Sequence, residues 1–256
     1  FHCGYCQNWV TSQALRDDAA GAPVQTAAVQ TLIGAAERAG ARLVVSSYNE
    51  PLITAEWAVA VFQEARERGF TCGFVSNGNA TPEALDFLRP WIRCYKVDLK
   101  SMRDSEYRKM GGRLQPVLDT IRNAHQMGLW VEVVTLVIPG FNDANEELWE
   151  TGRFLTSISA DIPWHVTAYH PDYKMQDVPS TPSDILQRAA EIGQEAGLHY
   201  VYAGNLPGKV GSLEDTHCSG CGKAVIKRRG YWILENRLTN SGTCPECNHP
   251  VKGVWV

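Results

Sequence analysis

Arg42-Leu43-Val44-Val45-Ser46-Ser47-Tyr48-Asn49-Glu50-Pro51 begins as a short, partly β-branched apolar run and breaks into polar residues before a proline. Its first half reads as a buried strand, and Pro51 stops it from extending. Helical patterns bracket it. Residues 28–39 read as a helix ending at Gly40. Residues 54–68 place Trp57, Ala58, Val61, Phe62 and Ala65 on one face and stop at Gly69. The alternation continues with strands at 72–76, 94–98, 130–137, 164–168 and 199–203. The helices between them open at Thr81-Pro82, run from Leu114 to near Gly128, span 146–158, and start at Thr181-Pro182-Ser183-Asp184, threonine capping, to end at Gly197. Six strands alternating with helices predict a parallel sheet with helices outside, an open or closed (β/α) barrel. A strand before Phe1 would make seven.

The predicted fold class is therefore α/β: a partial (β/α) TIM-like barrel over residues 1–207, a glycine-rich linker at 204–213, and a small four-cysteine module over 214–256. The 256 residues are 44% hydrophobic and 20% charged, enough to bury a full core. A formal net charge of −4 argues against nucleic acid or an anionic membrane as partner. No apolar stretch is long enough for a membrane span, and no secretory leader is visible.

Six of the eight cysteines form three C-x-x-C pairs. Metal binding by reduced thiolates fits such clustering better than disulfides, and implies a cytoplasmic protein. Cys72 and Cys94 stand alone in apolar runs and read as buried small hydrophobes. Cys3 and Cys6 by themselves leave three readings open: half a zinc site, a redox dithiol, or iron–sulfur ligands. Cys218 and Cys221, then 22 residues, then Cys244 and Cys247 are a more specific four-thiolate pattern. Tetrahedral zinc is the default for such a ribbon, with a rubredoxin-like iron as the alternative. Residues 224–227 and 231–234 suit a hairpin about Arg229-Gly230. His217 and His249 are surplus to a complete set, and a module this small needs its metal for stability. Trp232, Arg228 and Arg229 make only a modest nucleic-acid patch, which the net charge opposes.

In parallel α/β folds chemistry collects at the carboxyl ends of the strands. Here those ends read Ser46-Ser47-Tyr48-Asn49-Glu50, Ser76-Asn77-Gly78, Asp98-Leu99-Lys100, Ile138-Pro139-Gly140, Tyr169-His170-Pro171 and Gly204-Asn205. Each alone has a plain explanation: a turn, an ion pair between Asp98 and Lys100, a hydrogen-bonded loop histidine. Six polar ends at one rim favour a site. A metal-dependent hydrolase lacks the His/Asp ligand set it would need here.

Phe1-His2-Cys3-Gly4-Tyr5-Cys6 resembles the end of the C-x-x-x-C-x-x-C motif of radical S-adenosylmethionine (SAM) enzymes, including the aromatic before the last cysteine. The first cysteine of that motif would fall two positions before Phe1, so the sequence is expected to be truncated at its N-terminus. The resemblance implies a [4Fe–4S] cluster held in part by Cys3 and Cys6, and a radical SAM partial barrel. It also implies a SAM site in which Asn49 and Glu50 meet the methionine amino group. Ser76 and Asn77 would meet ribose and carboxylate, Tyr5 would lie beside adenine, and Asp98 would stand on the cofactor side. Lys100 and His170 are the implied catalytic candidates, with Tyr169 and Asn205 lining the substrate side. Asp98-Leu99-Lys100 is similar to glycyl-radical-enzyme activases, related to pyruvate formate-lyase activating enzyme. Those activases carry Asp-Thr-Asn-Gly where this chain has Val75-Ser76-Asn77-Gly78. Cys6-Gln7-Asn8-Trp9, Tyr48-Asn49-Glu50-Pro51 and His170-Pro171 more closely resemble the radical SAM component of the AmmeMemoRadiSam system, which also carries a C-terminal ribbon. The expected partners are a reductant such as flavodoxin or ferredoxin and a small-molecule or protein substrate. The alternatives are a glycyl-radical-enzyme activase and a non-catalytic zinc-ribbon scaffold that binds a protein.

Overall fold

The structure, a computed structural model, describes residues 1–14, 17–21 and 25–255. The chain runs α1 (Trp9–Ser12), α2 (Val29–Arg38), β1 (Leu43–Ser46), α3 (Ala55–Glu67), β2 (Thr71–Ser76), α4 (Pro82–Leu88), β3 (Cys94–Asp98), α5 (Asp104–Lys109) and α6 (Leu114–Gln126). It continues through β4 (Trp130–Val137), α7 (Asn145–Ile158), β5 (Trp164–Ala168), α8 (Ser183–Glu195) and β6 (Val201–Gly204). Strands β7 (Thr216–His217), β8 (Ala224–Arg229) and β9 (Trp232–Asn236) close it.

The first six strands form one sheet in sequential order, and every neighbouring pair is parallel. Parallel neighbours need crossovers, and the helices provide them. The result is the partial TIM-like barrel expected from the alternation. Side chains along β4 show how the two faces divide. Val131, Val133 and Val137 are buried on the helix side, while Trp130, Glu132, Val134 and Leu136 alternate onto the concave face. Each fully buried valine or leucine in this layer contributes about 1.5–3 kcal/mol.

Two glycines are fixed by packing. A Cβ on Gly193 of α8 would stand 2.8 Å from the Trp164 ring, so glycine lets α8 lie directly on β5. Gly78 has φ +77°, and a Cβ there would meet Val97 at 2.6 Å. It permits the sharp turn after β2. Trp164 is fully buried, and its indole N–H donates to Thr135 Oγ1 at 3.0 Å.

Several sequence expectations need correction. Thr181 does not cap α8, whose N-cap is Pro182. It is buried, donates to the Val137 carbonyl at 2.6 Å and accepts the Tyr169 N–H at 3.0 Å, tying the ends of β4 and β5 together. Cys94 is only half-buried, on the concave face, whereas Cys72 is buried as expected. The short helices α1 and α5 were not foreseen. Thr81 does cap α4, accepting the Ala84 N–H at 3.2 Å, with Pro82 at the first helical position.

Strands β7–β9 form a separate antiparallel sheet. Its small core joins Cys218, Val225, Ile226, Cys244 and Val251 around Tyr200, a residue of the barrel. The Tyr200 hydroxyl accepts the Lys252 N–H at 3.0 Å and lies 3.4 Å from Ser219 Oγ. Tyr202 Oη is 3.0 Å from Thr216 Oγ1. The four-cysteine module therefore borrows its core from β6 and its approach. Among the described residues no helix is long and apolar enough to cross a membrane.

Candidate functional site

Glu50 ends the turn after β1, where Tyr48 and Asn49 both adopt positive φ, 65° and 53°. Two successive left-handed residues reverse the chain and bring the carboxylate over the end of β2. Glu50 Oε1 accepts the Ser76 hydroxyl at 2.8 Å and the Leu52 N–H at 3.2 Å, and Oε2 accepts the Asn77 N–H at 2.7 Å. Burial pushes the Glu50 carboxyl above its ordinary value despite these three donors and the Lys100 charge. Ser76 Oγ in turn accepts the Gly78 N–H at 3.0 Å. Asn77 Oδ1 accepts the Asn79 N–H at 2.9 Å. Asn49 is exposed.

Lys100 follows β3 and is nearly buried, with its Nζ 3.6 Å from Asp98 Oδ2. Burial works against its charge, but Asp98, Cys3, Tyr5 and Tyr107 together hold it above the ordinary lysine value. The surrounding loop is stiff. The Lys100 N–H donates to the Tyr107 hydroxyl at 3.0 Å, and the Lys100 carbonyl accepts from Asn142 Nδ2 at 2.8 Å. Below it, the buried Glu147 carboxylate accepts the Ser101 hydroxyl at 2.5 Å and the Met102 N–H at 2.7 Å. The sequence reading missed Tyr107, Asn142 and Glu147. A carboxylate inside the predicted α7 pattern, on the face that packs inward, was the available signal for Glu147.

The N-terminal loop lies across this rim. The His2 N–H donates to the Met110 carbonyl at 2.8 Å, and the Lys174 N–H donates to the Gly4 carbonyl at 2.9 Å. Trp9 stacks on Tyr173 with ring centroids 5.3 Å apart, and its indole N–H donates to Asp172 at 3.0 Å. Cys3 is buried with its thiol 3.5 Å from the Met110 sulfur, which also accepts the Tyr5 hydroxyl at 3.2 Å. Tyr5 is buried with its ring tilted against Phe141, centroids 5.8 Å apart. Burial raises its hydroxyl pKa well above the usual phenol value. Cys6 Sγ is 3.3 Å from Ser12 Oγ.

Two buried polar atoms at the rim have no hydrogen-bond partner among the described residues, Gln7 Nε2 next to Cys6 and the Tyr95 hydroxyl near Ser76 and Glu50. Two thiols, a carboxylate and two unanswered donors match the chemistry of iron–sulfur and SAM binding: thiolate for iron, N–H and O–H for sulfide or carboxylate. Among the described residues no third cysteine, histidine or carboxylate joins Cys3 and Cys6. His170 stands apart from this constellation, exposed, with Nδ1 3.3 Å from the Pro171 carbonyl oxygen. Tyr169 is buried and donates to the Met175 carbonyl at 2.5 Å, and Asn205 donates to the Ala168 carbonyl at 3.1 Å.

The second cysteine set comes together as the spacing implied. The sulfurs of Cys218, Cys221, Cys244 and Cys247 all lie within 4.8 Å of one another. His249 turns aside, its Nε2 3.1 Å from Ser219 Oγ. Four thiols at this spacing suit tetrahedral zinc or iron.

The sequence profile described as the radical SAM superfamily matches residues 1–155. An uncharacterized protein of Methanocaldococcus jannaschii is 34% identical over 241 residues, covering 94% of this chain and 69% of that protein. The isethionate sulfite-lyase activating enzyme of Oleidesulfovibrio alaskensis is 29% identical over 141 residues, 52% of this chain and 43% of that protein. Among solved structures, a domain of pyruvate-formate lyase-activating enzyme from Bacteroides vulgatus superposes with a TM-score of 0.56 at 18% identity. The match covers 63% of this chain and 98% of that one.

Proposed function

The chain belongs to the radical SAM superfamily, and on that premise we propose that it is an enzyme that cleaves SAM reductively to act on a substrate through hydrogen abstraction. When bound, a reduced [4Fe–4S] cluster and SAM supply a 5′-deoxyadenosyl radical there. One observation carries the reading. The N-terminal loop packs on α5, where Phe1 meets the Tyr107 ring at 5.6 Å and Cys3 and Tyr5 meet the Met110 sulfur, and the same Tyr107 accepts the Lys100 N–H at 3.0 Å. A cluster thiol and the Lys100 loop thus share one rim.

In this reading Cys3 and Cys6 ligate iron. Glu50 accepts from the SAM ammonium with the lone pairs left free by its three protein donors, a charge-assisted contact. Asn49 stands with Glu50 at the methionine amino group, Asn77 offers its amide to ribose and carboxylate, and Ser76 holds Glu50 in place. Lys100 faces the SAM carboxylate or an acidic substrate, with Asp98 orienting it. Tyr5 walls the cluster loop, and the Trp9–Tyr173 stack keeps that loop closed against water. His170 would reach the substrate only from solvent. The ribbon holds zinc, with iron as the alternative, and a flavodoxin- or ferredoxin-like protein of the cytoplasm delivers the electron.

The finer family assignment we favour is the AmmeMemoRadiSam radical SAM component, on Cys6-Gln7-Asn8-Trp9, Tyr48-Asn49-Glu50-Pro51 and the C-terminal ribbon. A second reading, glycyl-radical-enzyme activase, is favoured by Asp98-Leu99-Lys100 and the half-chain similarity to an activating enzyme. Val75 in place of the activases' acid weighs against it. Release of 5′-deoxyadenosine from SAM by the reduced protein tests both readings. Formation of a glycyl radical on a partner protein separates them.

A further inference from the structure

Inside the barrel, the concave face of the sheet and the ribbon enclose an open-sided cavity of about 670 Å³ that extends to Gly204 and Asn205 at the carboxyl end of β6. Lys96, Glu132, His165 and Tyr202 face it from β3 to β6, and Thr216 and Arg228 face it from the ribbon. Neither Glu50, Ser76, Lys100 nor the cysteine loop lines it. Polar side chains in the middle of strands are costly unless they are matched.

The matching is lopsided. Glu132 is satisfied: its carboxylate accepts from His165 Nε2 at 2.8 Å and from the Trp130 indole N–H at 2.8 Å. Glu214 accepts the backbone N–H groups of Gly208 at 2.8 Å and of Gly230 at 2.6 Å. The cations are not. Arg228 donates only to neutral oxygens, Thr216 Oγ1 at 2.7 Å and the Glu214 carbonyl at 3.4 Å. Its guanidinium lies over the Tyr202 ring, 5.7 Å from the centroid, and Tyr202 stacks on His165 at 5.0 Å. Lys96 stands directly opposite Glu132 in the β3–β4 register and its charge bears on that carboxylate, with no ion pair formed among the described residues. Lys96 thus faces Glu132 across the sheet without closing an ion pair, and Arg228 has only neutral oxygens, beside a stack of planar rings.

The geometry points to a binding site for a small organic anion, a carboxylate or phosphate on a planar apolar body, held by Arg228 and Lys96 against the Tyr202–His165 stack. Arg228 is already oriented by Thr216, so its remaining N–H groups are preorganised for a two-oxygen acceptor. The site deepens the radical SAM reading by naming a substrate class. Its binding test uses neither cluster nor SAM, so the two fail separately.

Trp130 and Trp255 line the cavity and report on it. The full chain, zinc-loaded, is titrated with benzoate and with phenyl phosphate while tryptophan fluorescence is read. Benzamidine, the cation of the same shape, is the control. Saturable quenching by one or both anions and none by benzamidine is expected, and the tighter anion identifies the charged group. Lys96→Met and Arg228→Gln should each weaken binding about tenfold or more, the usual loss for a charge-assisted contact. Lys96 is on β3 and takes no part in the bonds that hold Arg228 to Thr216 and Glu214, so Lys96→Met carries the test even if Arg228→Gln loosens the ribbon. Quenching absent for both anions, equal for benzamidine, or unchanged in Lys96→Met would overturn the proposal.

Discussion

Glu50 and Ser76 are 26 residues apart in sequence, and the Ser76 hydroxyl donates to Glu50 Oε1 at 2.8 Å across the ends of β1 and β2. The bond fixes a buried carboxylate at the rim, and burial shifts its proton affinity upward. The native state therefore holds the Glu50 proton to higher pH than the unfolded chain does. Where the native state binds more protons, stability falls as pH rises. The stability of the wild type minus that of Glu50→Gln should fall as pH climbs above 4.5 and level off past the raised native value. Urea unfolding from about pH 4.5 to about pH 7 measures this. A difference that rises with pH would mean that the hydrogen bonds outweigh burial.

Gly193→Ala sets two effects against each other. Alanine in a helix gains about 0.5–1 kcal/mol over glycine. The new Cβ, 2.8 Å from the Trp164 ring, forces overpacking that costs about 1–3 kcal/mol. Packing should win, and the variant should unfold at lower urea with an unchanged slope.

Thr181→Val keeps the shape and removes the hydroxyl that bonds both Val137 and Tyr169. Two buried backbone groups lose their partner, so a loss of about 2–4 kcal/mol is expected in the same assay. A loss below about 0.5 kcal/mol would mean that these two bonds contribute little to holding β4 and β5 together.

The ribbon depends on its metal, because its core is a handful of side chains around Tyr200. Cys221→Ser should lower the metal content and open residues 205–213 to protease, with the barrel's far-UV circular dichroism largely kept. Zinc predicts a colourless module, whereas iron would show thiolate charge-transfer bands.

Much of the fold was legible because parallel strands are short apolar runs and α3, α6 and α8 stop at Gly69, Gly128 and Gly197, although β1, read as buried, leaves Leu43 and Val45 exposed. The rim was legible too, since Glu50, Ser76, Asp98 and Lys100 interrupt apolar patterns where strands end. The half-hidden polar face of the barrel was not. Glu132 alternates with valines inside β4, and a strand recognised by its apolar content conceals which face its one acid takes. Thr181 was misread because a threonine before proline suits a cap, and only tertiary contact shows that its hydroxyl is engaged elsewhere. Tyr107 and Met110 escaped notice because they lie in and just after a six-residue helix, too short to leave a periodic pattern.

The central claim is that the rim around Cys3, Cys6, Glu50 and Lys100 supports reductive SAM cleavage. The protein, reconstituted anaerobically with iron and sulfide and reduced with dithionite, should convert SAM to 5′-deoxyadenosine and methionine. Cys3→Ala and Cys6→Ala should abolish both cluster absorbance and product, with the ribbon metal retained. Absence of 5′-deoxyadenosine from protein carrying a full cluster, or undiminished product in the cysteine variants, would contradict the account.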